Sequence, residues 1–540
     1  MKRKILILFI ILVFINKSNA YWNAIYQYGI DIPKPINDPF ITGKTSAFLW
    51  IPPSAKHIRA VILAPANIIE RRFCDDSVIR SEAERDGIAL LYFQAGWTKN
   101  IFEHARLVTY IQSILDTLAA KSGYSELKSV PWIPIGHSGN SQFCQGIARQ
   151  QPNRILADII IKGALPGLPK DSITKGIAGI PFLFFTGEFE EVMPPGRVRN
   201  AWWEVQMKRF ADIKTVIPKA LISGMEHKGH GHISWTHDLS QYCALFIHKA
   251  IESRIDTTNQ LKEVAYESGW LADPNEMTKS AAVNNYKGNK QKAFWFFDGE
   301  MAKQWKIIFD HDKGKKEQLL AFTQGDSIAP WWKGWGVQEI VYQPIEDDGN
   351  SFSVNAIFRK EVPRPFADSG TLVGHSQNED IKYSVAGWAS NIEQKGSNKF
   401  RIRFDREGMN GRTTHIVIAA THQGDEQYRE TEAAAHFFLP PNSTGTKQEI
   451  SFDSLPNMDR NTSLVSMKAK VSSGMQPDYY VNWGPAEIID GNILRIKEIP
   501  ANTKYPIEVK VSAYHFGRAT PPLYASSKVV SRVFYILKQK

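Results

Sequence analysis

Pro131-Trp132-Ile133-Pro134-Ile135-Gly136-His137-Ser138-Gly139-Asn140-Ser141 is the stretch whose reading decides the fold. An apolar strand of five residues runs straight into Gly136-His137-Ser138-Gly139, and a helical pattern follows to about Gln150. A strand that enters a helix through so short a turn forces its apex residue into strained dihedrals and requires small neighbours. Gly136 and Gly139 meet that requirement. The helix that follows places the free backbone N–H groups of its N-terminus beside Ser138. Gly/Ser turns are also common structural corners, so this one counts only in its context.

The surrounding segment supplies the context. Between about residues 45 and 255, buried-strand runs alternate with helical patterns. Strands are predicted at Ser46–Ile51, Ile58–Ala64, Ile88–Phe93, Ile155–Lys162, Pro181–Thr186 and Ala220–Ile222. Helices are predicted at Asp76–Asp86, Phe102–Lys121, Ala201–Phe210 and Leu239–Arg254. Leu107, Ile111, Ile114 and Leu118 fall on one helical face. Such alternation predicts an α/β fold with a mainly parallel sheet covered on both faces. Residues 256–335 read as a polar connecting segment with one helix near Asp298–Phe309. From Val337 onward, short alternating strands with turn signals such as Asp490-Gly491 predict one or two β-sandwiches. Boundaries are expected after residues 20, 255, 335 and 455.

The turn at Ser138 resembles the nucleophile elbow of α/β-hydrolases. Ser122-Gly123-Tyr124-Ser125-Glu126-Leu127, Gly136-His137-Ser138 and Gly187-Glu188-Phe189-Glu190 are similar to secreted bacterial members found among polysaccharide-degrading enzymes. The family pattern has Gly two residues after the serine, where this chain has Asn140. The resemblance implies a triad in the order Ser, Asp/Glu, His. Its acid falls on Glu190, with Glu188 next and Glu191 third. Its histidine falls on His232, with His230 as the alternate and His227 less favoured, all within Met225–Trp235. The oxyanion donors implied are the backbone N–H of Gly139 and one from Asn67 or Ile68, in the loop Ala64–Phe73. The common His-Gly-Gly-Gly version of that loop is absent. Asp478-Tyr479-Tyr480-Val481 to Gly484-Pro485-Ala486 is similar to bacterial immunoglobulin-like modules attached to such enzymes.

Composition narrows the function classes. The 540 residues include 43% hydrophobic and 22% charged side chains, which excludes wholesale disorder. Lys2, Arg3 and Lys4 precede an apolar run from Ile5 to Ile15 and a short polar stretch to Ala20, the layout of a cleavable signal peptide. That run is too short to span a bilayer, and no later run is long enough. Export to a secreted or periplasmic location is therefore expected. Removal of residues 1–20 takes four basic side chains and no acid, so the net charge falls from +10 to +6. No basic block suits a phosphate backbone, which argues against nucleic acid.

Cys74, Cys144 and Cys243 leave at least one free thiol, with a bridge from Cys144 to either other cysteine open. His227, His230 and His232 lack a zinc-type pattern, so neither metal nor cofactor is expected. Arg71, Arg72, Trp97 and Trp235 are candidate substrate contacts near the catalytic loops, and Trp331-Trp332-Lys333-Gly334-Trp335 is the densest aromatic cluster. Flat aromatic faces stack on sugars, although most Trp side chains simply pack. The expected function is a secreted serine esterase removing acetyl or methyl ester groups from polysaccharide. The alternatives are a serine peptidase on the same fold, or a non-catalytic glycan-binding protein with a degenerate elbow, which Asn140 favours.

Overall fold

The computed structural model describes residues 24–167, 177–190, 201–332, 336–346, 349–364, 366–387, 392–404, 406, 414–440, 442–462 and 464–538. The expected signal peptide, Glu191 and part of the Trp331–Trp335 cluster lie outside these residues. At the centre is a sheet of eight strands: β1 (Tyr28–Ile32), β2 (Thr45–Trp50), β3 (Ala60–Pro65), β4 (Ile88–Gln94), β5 (Trp132–His137), β6 (Asp158–Ile161), β7 (Phe182–Phe189) and β8 (Ile222–Gly231). Their spatial order is β1-β2-β4-β3-β5-β6-β7-β8. The two pairings of β2, with β1 and with β4, are antiparallel, and the remaining pairings are parallel.

Helices connect and cover these strands: α1 (Glu70–Asp75), α2 (Ser77–Asp86), α3 (Arg106–Ser122), α4 (Ser141–Gln150), α5 (Ala201–Val216) and α6 (His237–Arg254). Every residue of β3, β5 and β6 is buried, as a parallel sheet covered on both faces requires. This is the α/β-hydrolase fold. None of the described helices is long and apolar enough to cross a membrane. Cys74, Cys144 and Cys243 are buried free thiols, so the bridge left open for Cys144 is not formed.

Two segments are more ordered than the sequence reading implies. β8 does not stop at Ile222 but runs on through Met225-Glu226-His227-Lys228-Gly229-His230 to Gly231, paired with β7. Polar and glycine-rich residues hid that strand, whose length is dictated by its long parallel neighbour. Residues 256–335 likewise form more than a connection. Trp270–Asp273, Glu276–Ala282 and Phe294–Phe296 make a small sheet, followed by α7 (Gly299–Asp310), whose N-cap is Asp298. Phe294, Trp295 and Trp305 join the core of the large sheet. The Trp305 indole N–H donates to the Gly224 carbonyl of β8 at 2.6 Å.

The C-terminal half is β-rich. Gln338–Glu339, Thr431–Leu439, Thr414–His422 and Lys382–Val385 form a four-stranded sheet, beside three-stranded sheets built on Leu320–Gln324 and Lys399–Ile402. These share a separate apolar core around Phe352, Phe400, Ile416 and Phe437. Met458–Asp459, Val530–Leu537, Ile507–Tyr514 and Asp478–Trp483 form the last four-stranded sheet. Ile450–Phe452 pairs with Ala469–Val471 across the expected boundary near residue 455.

The last β unit is docked on the eight-stranded sheet domain. Trp483, Val509 and Val511 belong to the same apolar core as β1–β8. Lys121 pairs with Glu508 at 2.9 Å, and Lys510 with Asp31 at 3.0 Å. Trp305→Ala would leave a large void between α7 and β8. It is expected to lower the stability of the α/β domain by about 3–5 kcal/mol. Urea unfolding of the full chain checks this, since a loosely tethered segment would leave the transition unmoved.

Candidate active site

Ser138 stands between β5 and α4 with φ of 55°, in the left-handed region. An ordinary side chain reaches that region only under strain. The turn closes so tightly that a Cβ on Gly136 would lie 2.2 Å from the Asn140 carbonyl oxygen. Asn140, the departure from the family pattern, acts as a tie. Its amide donates to the Pro65 carbonyl at the end of β3 (2.9 Å) and to Glu70 Oε1 (3.0 Å). Glu70 Oε1 also accepts from the His137 backbone N–H at 2.7 Å. The Asn67 amide donates to the His137 carbonyl at 2.8 Å. Both sides of the elbow are thus pinned to the β3–α1 loop.

β7 and β8 bring up the other two side chains. The imidazole Nε2 of His232, just beyond β8, lies 2.9 Å from Ser138 Oγ. The His232 Nδ1 is hydrogen-bonded to Glu190 Oε2, just beyond β7. A carboxylate only accepts, so Nδ1 carries the proton and Nε2 is left to accept from the serine hydroxyl. The other Glu190 oxygen accepts from the Gly187 N–H at 2.6 Å, which holds the carboxylate in its turn. Glu190 and His232 are both buried. His137, fully buried and neutral because burial and the adjacent His232 push its pKa well down, donates from Nε2 to the His232 carbonyl at 2.8 Å.

The sequence candidates separate cleanly in space. Ser138, Glu190 and His232 come together, while Asn67 and Ile68 line the same cavity as Ser138. Gly139 follows Ser138 at the start of the helical turn into α4. The alternates are engaged elsewhere. Glu188 makes a two-pronged pair with Arg429, both contacts at 3.0 Å, and accepts from the Gly229 N–H. His230 faces Glu430 and Glu432 and stacks on His227 at 3.7 Å. Among the described residues, the one group of metal-ligating type is Glu82, Asp86 and His248, on α2 and α6.

The four expected substrate contacts are not brought to the cavity. Arg71 is buried in a pair with Asp75 (3.1 Å). Arg72 does not line the cavity, and its charge opposes the Lys162 ammonium. Trp97 packs among Phe93, Phe102 and Phe143. Trp235 is buried against Phe73 and donates to Asp76. The two Trp side chains fill the core, the ordinary fate of large aromatic side chains near a sheet.

Several site residues carry no motif. The cavity over Ser138 measures about 210 Å³ and is lined by Asn67, Ile68, Ser138, His232, Ile233 and, from the C-terminal half, Trp332, Val337, His415, Val417 and His436. Of the five from the C-terminal half, only Trp332 left a trace in the sequence, as part of an aromatic cluster. Lys162, with a positive φ of 47°, is hydrogen-bonded through Nζ to the Gly231 carbonyl, next to His232. Burial lowers its pKa to about 8, against the pull of Glu190 and Glu432. Glu432 is hydrogen-bonded to Ser234, two residues past His232.

No protein-family model and no curated protein matches the chain. Among solved structures, it is similar to poly(aspartic acid) hydrolase-1 from Sphingomonas sp. KT-1 (14% identity, TM-score 0.29), over 41% of this chain and 99% of that one. It is also similar to a poly(3-hydroxybutyrate) depolymerase from Bordetella parapertussis (13% identity, TM-score 0.29), over 46% and 97%. A third is an S-formylglutathione hydrolase from Agrobacterium tumefaciens (11% identity, TM-score 0.30), over 42% and 94%.

Glu70 makes the elbow sensitive to pH. Complete burial raises its pKa from 4.5 to about 8, despite the donors from His137 and Asn140. The folded chain then holds a proton that the unfolded chain releases near pH 4.5. The stability tied to that proton is complete below 4.5 and falls away as pH rises to about 8. Glu70→Gln keeps the acceptor and removes the titration. Its stability relative to wild type should rise between pH 4.5 and 8 and level off above, as read by urea midpoints across that range.

Proposed function

We propose that the protein is an exported serine esterase that hydrolyses ester groups carried on polysaccharide, with acetyl and methyl esters as the smallest substituents it would serve. The observation that carries the hydrolytic reading is the continuous chain from Ser138 Oγ through His232 to Glu190, set on a strained elbow. The export signal and the accessory β units support an extracellular polymer as the source of the ester.

In this mechanism Ser138 Oγ attacks the ester carbonyl while His232 Nε2 takes its proton. Glu190 keeps the imidazole in the required tautomer and stabilises its charged form. The Gly139 N–H and one from the Asn67–Ile68 loop face the oxyanion, each donor being worth about 3–4 kcal/mol in such sites. The protonated His232 then passes its proton to the departing alcohol. Water, deprotonated by the same nitrogen, releases the acid from Ser138. Asn140 bears on the glycan-binding alternative, because it ties the elbow to β3 and Glu70 while Ser138 keeps its bond to His232.

Ser138→Ala should abolish hydrolysis of simple phenyl esters while leaving the melting temperature close to wild type. Glu190→Gln should lower kcat by about 10⁴-fold through loss of the tautomer. Initial rates on phenyl acetate, and release of acetate or methanol from a polysaccharide panel, measure both. Turnover unchanged by Ser138→Ala would sink the reading.

A further inference from the structure

The cavity over Ser138 is built from both halves of the chain. Its floor is the elbow, His232 and the Asn67–Ile68 loop; its roof is the sheet of the C-terminal half. Residues two apart on a strand share a face. His415 and Val417 therefore face the same way on Thr414–His422, and the register sets His436 of Thr431–Leu439 opposite Val417. All three line the cavity, with Trp332 tilted over His436 at 4.2 Å between ring centres. The two imidazoles are hydrogen-bonded to each other, Nε2 of His415 to Nδ1 of His436, at 2.6 Å.

The roof is held firmly. A Cβ on Gly387 would lie 2.0 Å from the Ile68 side chain, so the C-terminal backbone rests directly on the oxyanion loop. The Glu188–Arg429 and Ser234–Glu432 contacts lock the hairpin entering Thr431–Leu439 against β7 and the His232 loop. The lining contains no Asp, Glu, Lys or Arg among the described residues. Burial and the neighbouring His436 hold His415 in its neutral form, with a pKa pushed down to about 3. A charged group entering here would lose its hydration, and none of the described lining residues offers it an opposite charge. An apolar cavity of about 150 Å³ accommodates benzene, so about 210 Å³ admits a single aromatic ring.

Resting on the esterase reading, we propose that Trp332, His415, Val417 and His436 form the acyl pocket, which selects an uncharged acyl group of up to one aromatic ring. The C-terminal β unit would then set the specificity of the hydrolase.

The test compares phenyl acetate, phenyl benzoate and the monophenyl ester of succinic acid on the full chain. Wild type is expected to hydrolyse the first two and to process the anionic succinate ester at least 100-fold less efficiently than the acetate. Val417→Phe fills the pocket and Trp332→Ala removes its wall. Each should lower the benzoate-to-acetate ratio of kcat/KM at least tenfold, a ratio that general loss of active protein does not move. Inhibition by phenylboronic acid, which bonds to the serine oxygen, should weaken relative to methylboronic acid in the same variants. If Val417→Phe fails to fold by circular dichroism, Trp332→Ala and His415→Ala carry the comparison. An unchanged ratio in the folded variants, or succinate cleaved as well as acetate, overturns the pocket while the esterase stands. Failure of wild type to cleave any of the three esters overturns both.

Discussion

The left-handed conformation of Ser138 is the constraint on which the rest of the site depends. A serine adopts φ near 55° only when its surroundings over-determine it. Here the surroundings are Gly136 pressed against the Asn140 carbonyl, and Asn140 and Asn67 tied to opposite sides of the elbow. Glu70 stands beneath as a fully buried acceptor for two donors. The strain keeps the hydroxyl raised above the sheet, within reach of an imidazole that comes from the far end of another strand. Without Gly136 the turn could not close, and α4 would not begin where its first N–H groups face the cavity.

A second constraint is the interlocking of the two halves. The carboxylate and imidazole that sequence spacing left as alternates, Glu188 and His230, are occupied by Arg429, Glu430 and Glu432. These contacts lie within a few residues of Glu190 and His232 on the same two strand ends. The strand ends that position Glu190 and His232 therefore also carry the attachment of the C-terminal sheet. Buried charge is tolerated there because each group has a partner: Glu432 finds Ser234 and His230, and Lys162 finds the Gly231 carbonyl. The C-terminal half forms part of the wall of the cavity over Ser138.

Most of the central sheet could be read from residues 45–255, because buried parallel strands are short apolar runs and amphipathic helices repeat every three to four residues. β1 and the outer half of β8 escaped that reading. Tyr28–Ile32 is short and lies at the sheet edge, and Lys228-Gly229-His230-Gly231 is polar because it meets the C-terminal half. The order Ser138, Glu190, His232 was legible because each stands at the end of a strand, where spacing from a glycine narrows the choice. The choice between Glu188 and Glu190 was not legible, since residues two apart share a face of an extended strand and only their partners across space, Arg429 and His232, distinguish them.

By itself, the sequence determined the α/β-hydrolase fold, the elbow serine and the short set of acids and bases that reach it. These depend on local geometry: a tight turn needs glycine, and a buried strand needs an unbroken apolar run. Only the tertiary structure decided which carboxylate meets the imidazole. It also decided that Arg71, Trp97 and Trp235 pack away from the cavity, and that His415, Val417 and His436 close it. The last three lie more than 270 residues from Ser138 and carry no motif. Their place over the nucleophile follows from strand alternation and from the docking of one half of the chain on the other, which no local pattern encodes.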